Sequence, residues 1–170
     1  MKTITAVGCT FAAATLIALA AGSKMKITSS AFPEGGTIPE KFSKNGQNVS
    51  PELRIEGQPT DAKSLAMIVD DPDAPGGLFT HWLVWNIDPK STEISEGYAP
   101  NGAVQGKNDF GDIGYGGPQP PSGTHRYYFK IFALNSTLDL KSGAKRKDLD
   151  AALKDHVISQ GQLIGKYSKK

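Results

Sequence analysis

Three short polar clusters interrupt apolar stretches of this chain, and each carries side chains able to donate, accept or share a proton. Asp70-Asp71-Pro72-Asp73-Ala74-Pro75 sets carboxylates between stiff prolines, and Thr80-His81-Trp82 supplies an imidazole. The run Gly114-Tyr115-Gly116-Gly117-Pro118-Gln119-Pro120-Pro121 leads into Thr124-His125-Arg126-Tyr127, with a second imidazole and a phenol. Polar groups converging in an apolar cleft are the ordinary signature of a small-ligand site. A carboxylate held near an imidazole shares a proton with it. Imidazole N–H and phenol O–H groups donate to an anion. Gly114, Gly116 and Gly117 allow close backbone approach, and exposed N–H groups in such a turn can form an anion-binding nest. Together these groups suit a phosphate or a small acid group.

Blander readings explain parts of this pattern. A turn accounts for one aspartate well, but less well for three that repel one another. A lone histidine on an apolar face is usually a satisfied core residue; two that each open a strand are harder to dismiss. As for catalysis, the chain has no Gly-x-Ser-x-Gly elbow, no His-Glu-x-x-His and no paired cysteines. His81, His125 and Asp71 could still surround a metal or a water, so a hydrolase using this pocket stands as an alternative.

The elements that must position these groups read as mainly β. Nineteen Gly and eleven Pro are spread along the chain with extended runs between them. Strands are expected over Met25–Ser29, Leu53–Gly57, Ser64–Asp70, Phe79–Ile87 and Arg126–Leu134. Alternate residues of a strand share a face. Strict alternation therefore puts Phe79, His81, Leu83, Trp85 and Ile87 on one side of the fourth strand. In the last strand it puts His125, Tyr127, Phe129, Ile131 and Ala133 together. Both strands are expected to be buried on both sides. A helix is expected from Asp148, as its cap, to about Gln160, with Leu149, Ala152, Leu153, His156 and Val157 as its buried stripe. Gly161 would end it, and Leu163-Ile164 would anchor a short tail.

Length and charge bound the function. The chain has 170 residues, 38% of them hydrophobic, enough for one domain with a real core. A net charge of +2 is too weak for a nucleic-acid footprint. Residues 1–22 read as a cleaved export signal: Lys2, then an apolar run from Ile4 to Ala21, then small residues at Ala18-Leu19-Ala20 and Ala20-Ala21-Gly22. The alternative is a membrane anchor over residues 4–21. Cleavage would remove Cys9, the sole cysteine, and with it any disulfide or thiol chemistry. A periplasmic or secreted domain over residues 25–170 follows. No amphipathic stripe in it argues for deep membrane insertion.

Asp71-Pro72-Asp73-Ala74-Pro75, His81-Trp82, and Gly116-Gly117-Pro118 running to His125-Arg126-Tyr127 resemble the phosphatidylethanolamine-binding protein family, in its bacterial and archaeal Raf kinase inhibitor-like branch. Asn48-Val49-Ser50-Pro51-Glu52-Leu53 and the stretch from Leu163 to Tyr167 extend the likeness to roughly residues 25–168. The resemblance implies a β-sandwich of a large and a small sheet with Greek-key connections and a few peripheral helices. It implies a small pocket for phosphate-like groups, at which Asp71, Asp73, His81, Gly117, Pro118, His125 and Tyr127 would bind the ligand without a cofactor or metal. It implies cis bonds before Pro75 or Pro121, and a homodimer, as bacterial members often form. Eukaryotic members inhibit kinases or proteases, so an inhibitor acting through protein contacts is a further alternative. With Ser168-Lys169-Lys170 following Tyr167, the C-terminal helix that lids the pocket in mammalian members is not expected, and a more open pocket is.

Overall fold

Alternating apolar residues build two antiparallel sheets in the computed structural model, which describes residues 24–169. The small sheet joins β1 (Lys26–Thr28), β2 (Leu53–Glu56) and β5 (Glu93–Ile94) in that order. The large sheet runs β6-β4-β3-β7-β8, made of β6 (Val104–Gln105), β4 (Phe79–Ile87), β3 (Ser64–Asp71), β7 (Thr124–Leu134) and β8 (Val157–Ser168). One α-helix, α1 (Arg146–Leu153), and one 3-10 turn (Glu40–Phe42) complete the regular structure among the described residues. The mainly β, two-sheet fold is the expected one. The export signal expected over residues 1–22 lies outside the described residues.

The large sheet has a buried cluster on each face. On the first face, Leu65, Met67 and Val69 of β3 and Tyr127, Phe129 and Ile131 of β7 pack with Met25, Ile27, Leu53 and Ile55 of the small-sheet side. On the second, Ala66 and Ile68 of β3 meet Leu83 and Trp85 of β4 and Leu149 and Leu153 of α1. Period-two alternation along β3 therefore sends Asp71 to the first face and Asp70 to the second. In β7 the second face is only partly buried, not fully as expected.

Strict alternation fails in β4. Trp82, Val84 and Ile87 join the first-face cluster, whereas Leu83 and Trp85 join the second. The β3–β4 register slips between Leu65 and Met67 and again between Val69 and Asp70. A bulge adds one residue to a strand and reverses the faces beyond it. The second slip turns His81 to the same side as Tyr127, and their rings touch.

The C-terminal region departs furthest from expectation. The helix stops at Leu153, and a 12-residue strand replaces its last turns and the tail. Asp148 sits inside the first turn, where its carboxylate accepts the Lys145 N–H at 3.0 Å. Asp155, at φ 65°, reverses the chain, and His156 lies in that turn, bonded through Nδ1 to Asn135 at 2.8 Å. Gly161 does not end a helix; it lies within β8, where a Cβ would fall 2.2 Å from the Met25 carbonyl oxygen. Gly165 likewise lets β8 pass Ile38, which a Cβ would meet at 2.5 Å. The glycines serve close packing of β8 against its neighbours. Every peptide bond among the described residues is trans, so the cis bonds implied before Pro75 or Pro121 are absent.

Candidate functional site

The C-terminal end of β3, the first turn of β4 and the start of β7 lie side by side, which brings the three polar clusters to one end of the large sheet. The Asp71 carboxylate is the hub. Its Oδ2 lies 2.7 Å from His125 Nδ1, and both side chains are buried, at 5% and 8% exposure. Its Oδ1 accepts the Asp73 N–H at 2.8 Å, which shapes the Asp71-Pro72-Asp73 turn.

His81 is fixed from the other side. Its Nδ1 lies 2.6 Å from the Gly116 carbonyl oxygen. A carbonyl only accepts, so Nδ1 carries a hydrogen and the neutral ring presents a lone pair at Nε2. Three aromatic rings enclose it: Phe79 at 5.2 Å, Phe110 at 5.4 Å and Tyr127 at 5.1 Å between centroids. Burial among them pushes the imidazole below its ordinary titration range, although the Gly116 carbonyl and the Asp71 charge pull the other way.

Tyr127 lies beneath this array. Its hydroxyl is buried beside the Asp71 carboxylate and the Gln119 backbone. Burial, and then the nearby Asp71 charge, push the Tyr127 phenol upward, so it stays protonated and remains a donor.

Above these groups opens a cleft of about 350 Å³. Asp71, His81, Phe79, Phe110, Pro75 and Pro121 form most of its wall, with Ala74, Gly76 and Gln119 completing it. Larger grooves occur between β1 and β8 and around Asp88–Asn101, but neither gathers a buried ionisable group.

Of the residues singled out from sequence, Asp71, His81, His125 and Tyr127 meet. Asp73 turns away to Arg126, which grips it through Nε at 2.9 Å and Nη2 at 2.7 Å. That guanidinium holds the Asp73 carboxyl down at about 2. Gly117 and Pro118 stand behind the wall. The Gly117 N–H donates to Asn48 Oδ1 at 2.8 Å, and a Cβ on Gly117 would fall 2.2 Å from the Phe42 carbonyl oxygen. The Pro118 carbonyl accepts the Lys44 N–H at 3.1 Å. Phe110 was not foreseen as a wall residue. It lies in an irregular segment pinned by Asn108, which donates to the Gly114 carbonyl at 2.9 Å. Gly116 makes room for it, since a Cβ there would meet the Phe110 ring at 2.6 Å. Among the described residues no group of three or more His, Cys, Asp or Glu side chains is arranged to hold a metal ion.

Comparison with known proteins gives a consistent answer. A sequence model of the phosphatidylethanolamine-binding protein family matches residues 28–168. A UPF0098 protein of Methanothermobacter thermautotrophicus is 47% identical over 150 residues, spanning 85% of this chain and 99% of its own length. A UPF0098 protein of Pyrococcus horikoshii is 49% identical, covering 92% of this chain and 87% of its own length. Among solved structures, a phosphatidylethanolamine-binding protein homolog of Chlamydia trachomatis superposes with a TM-score of 0.82 at 41% identity, covering 86% of this chain and 99% of that one. E. coli YbcL, described as a member of the mammalian family, gives 0.82 at 32% identity, covering 87% and 100%.

Proposed function

The chain belongs to the phosphatidylethanolamine-binding protein family, and from that premise we propose that it is an exported, non-catalytic protein whose cleft binds a small anionic group, a phosphate or a carboxylate. The observation that carries this reading is the meeting of His81 and the Asp71 carboxylate, itself paired with His125, on the wall of one cleft. Asp71 orients the His125 ring through Nδ1. Phe79, Phe110, Pro75 and Pro121 supply apolar walls that strengthen each polar contact by excluding water. Export rests on residues 1–22, with their single charge at Lys2 ahead of an apolar run. Among the described residues no helix is long and apolar enough to cross a membrane.

Calorimetric titration of the wild type and His81→Ala with inorganic phosphate, phosphoethanolamine and acetate tests the reading. Saturable binding is expected, weakened roughly tenfold or more in the variant, since a hydrogen bond to a charged group contributes about 1.5–3 kcal/mol. Equal isotherms for both proteins would remove the pocket from the account. Sequencing the N-terminus of the protein from the expressing cell tests export, with a start near residue 23 expected.

A further inference from the structure

The cleft is built for an anion in shape but not in fixed charge. Among the described residues no lysine or arginine lines it. The nearby cations are committed elsewhere. Arg126 grips Asp73. Lys130 and Arg146 hold Asp70 on the opposite face of the sheet. Lys44 sits over the Phe110 ring, 4.3 Å from its centroid, and pairs with Asp112 at 3.5 Å.

What the cleft does present are acceptors. Asp71 offers its remaining lone pairs, and His81, its Nδ1 hydrogen already donated to Gly116, offers Nε2. A dianion placed against a carboxylate and a neutral imidazole, within aromatic walls, meets repulsion and desolvation with no cation to offset them. A ligand that carries a proton meets a partner instead.

Resting on the proposed function above, we propose that the cleft takes up its oxyanion together with one proton, held between a ligand oxygen and His81 Nε2. It thereby selects oxyacids that keep a proton near neutral pH, phosphate and its monoesters, over sulfate. The proton comes from solvent or arrives on the ligand, and no other bond changes. The groups facing His81 are consistent with this placement. Asp70 and Asp71 on β3 favour a proton there. Tyr127 on β7 stays a neutral donor, and His125, also on β7, faces it through Asp71. Lys44 lies behind Phe110, already paired. In the empty cleft, burial keeps the His81 ring neutral, so the proton enters with the ligand. Phosphate monoesters release their second proton near pH 6, within reach of such a site, whereas sulfate holds none.

The test is calorimetry of the mature chain with inorganic phosphate, phosphoethanolamine and sulfate, from pH 6 to pH 8, in two buffers of different ionisation enthalpy. The expected result is phosphate binding at least tenfold tighter than sulfate. With phosphoethanolamine, whose dianion, unlike hydrogen phosphate, arrives without a proton, proton uptake should approach one per ligand as the pH rises to 8. His81→Gln, whose amide can donate without titrating, should lose the uptake and narrow the phosphate preference. Sulfate binding as tightly as phosphate, or phosphoethanolamine binding at pH 8 without proton uptake in the wild type, overturns the inference and leaves the anion-binding reading intact. A wild type that binds neither phosphate, phosphoethanolamine nor acetate overturns both. The wild-type measurements decide the matter even if His81→Gln fails to fold.

Discussion

Asp70 and Asp71 are adjacent, both buried, and at the end of the same strand, yet the two faces of the sheet give them opposite surroundings. Asp70 faces α1 and is fully enclosed. Lys130 reaches one carboxylate oxygen at 3.0 Å, and Arg146 holds the other while also bonding Asp150 at 2.7 Å. Two permanent cations compensate that carboxylate and tie the start of α1 to β3 and β7. Asp71 faces the cleft and is met by His125, which is titratable, by one backbone N–H and by the Tyr127 phenol, with no permanent cation on it. Fixed compensation marks a carboxylate that holds the fold together. Compensation by a group that can gain or lose a proton leaves room for a ligand to alter the balance.

The largest expected effect comes from breaking the Asp70 side. Asp70→Ala strands Arg146 and Lys130, and removing one partner of a buried ion pair costs about 3–5 kcal/mol. Both cations are partly exposed and can turn to water, so denaturant melts should show a loss near the lower bound. Phosphate affinity of the folded fraction should stay within about twofold. Asp71→Asn should give the converse. A loss of roughly 1–3 kcal/mol is expected from the weakened His125 contact. The preference for phosphate over sulfate should shrink once the repelling charge is gone, as paired titrations would read. If Asp70→Ala weakened binding as much as Asp71→Asn, the division of roles would fail.

A smaller effect belongs to pH. His81 titrates below its ordinary value of 6.5 because it is buried, so the unfolded chain takes up a proton before the folded one does. Its contribution is therefore complete above about pH 6.5 and declines as the pH falls below that point. Melting temperatures of the ligand-free protein should show the decline, and His81→Gln should flatten it. The smallest effect is expected at Arg126, whose pairing with Asp73 is exposed to solvent. Arg126→Ala should lower the melting temperature least of these variants. Since Asp73 is held down at about 2, what the pair contributes should disappear as the pH falls from about 4 toward 2.

The same pair of faces shows how much of the site was legible. Strand β7 has no glycine, proline or bulge until its last residues, so alternation placed His125 and Tyr127 together. In β4 the alternation broke at two register slips: Asn86, at φ 56°, sits at the first, and the second carries His81 to the side of Tyr127. The acidic cluster was visible, but which carboxylate would meet which base depends on Arg126 and Lys130 across the sheet. Strand β8 is hidden because Gly161 looks like the stop of a helix, and Gly165 interrupts the apolar pattern after it. Their reason is the close approach of Met25 and Ile38, residues more than a hundred positions away. Phe110 sits in an irregular segment with no period to read, and only the space left by Gly116 explains its place.

The chain's three histidines offer the most direct test. His81 lines the cleft and His125 backs it through Asp71, whereas His156 lies beyond the far end of β7, some ten residues or about 30 Å along the strand. The measurement is a titration of inorganic phosphate into the mature protein, followed through the ring carbon and proton NMR signals of all three imidazoles. The account predicts saturable shifts at His81 and His125 with one shared affinity and none at His156. Unmoved rings at His81 and His125, or equal drift at all three, would contradict it.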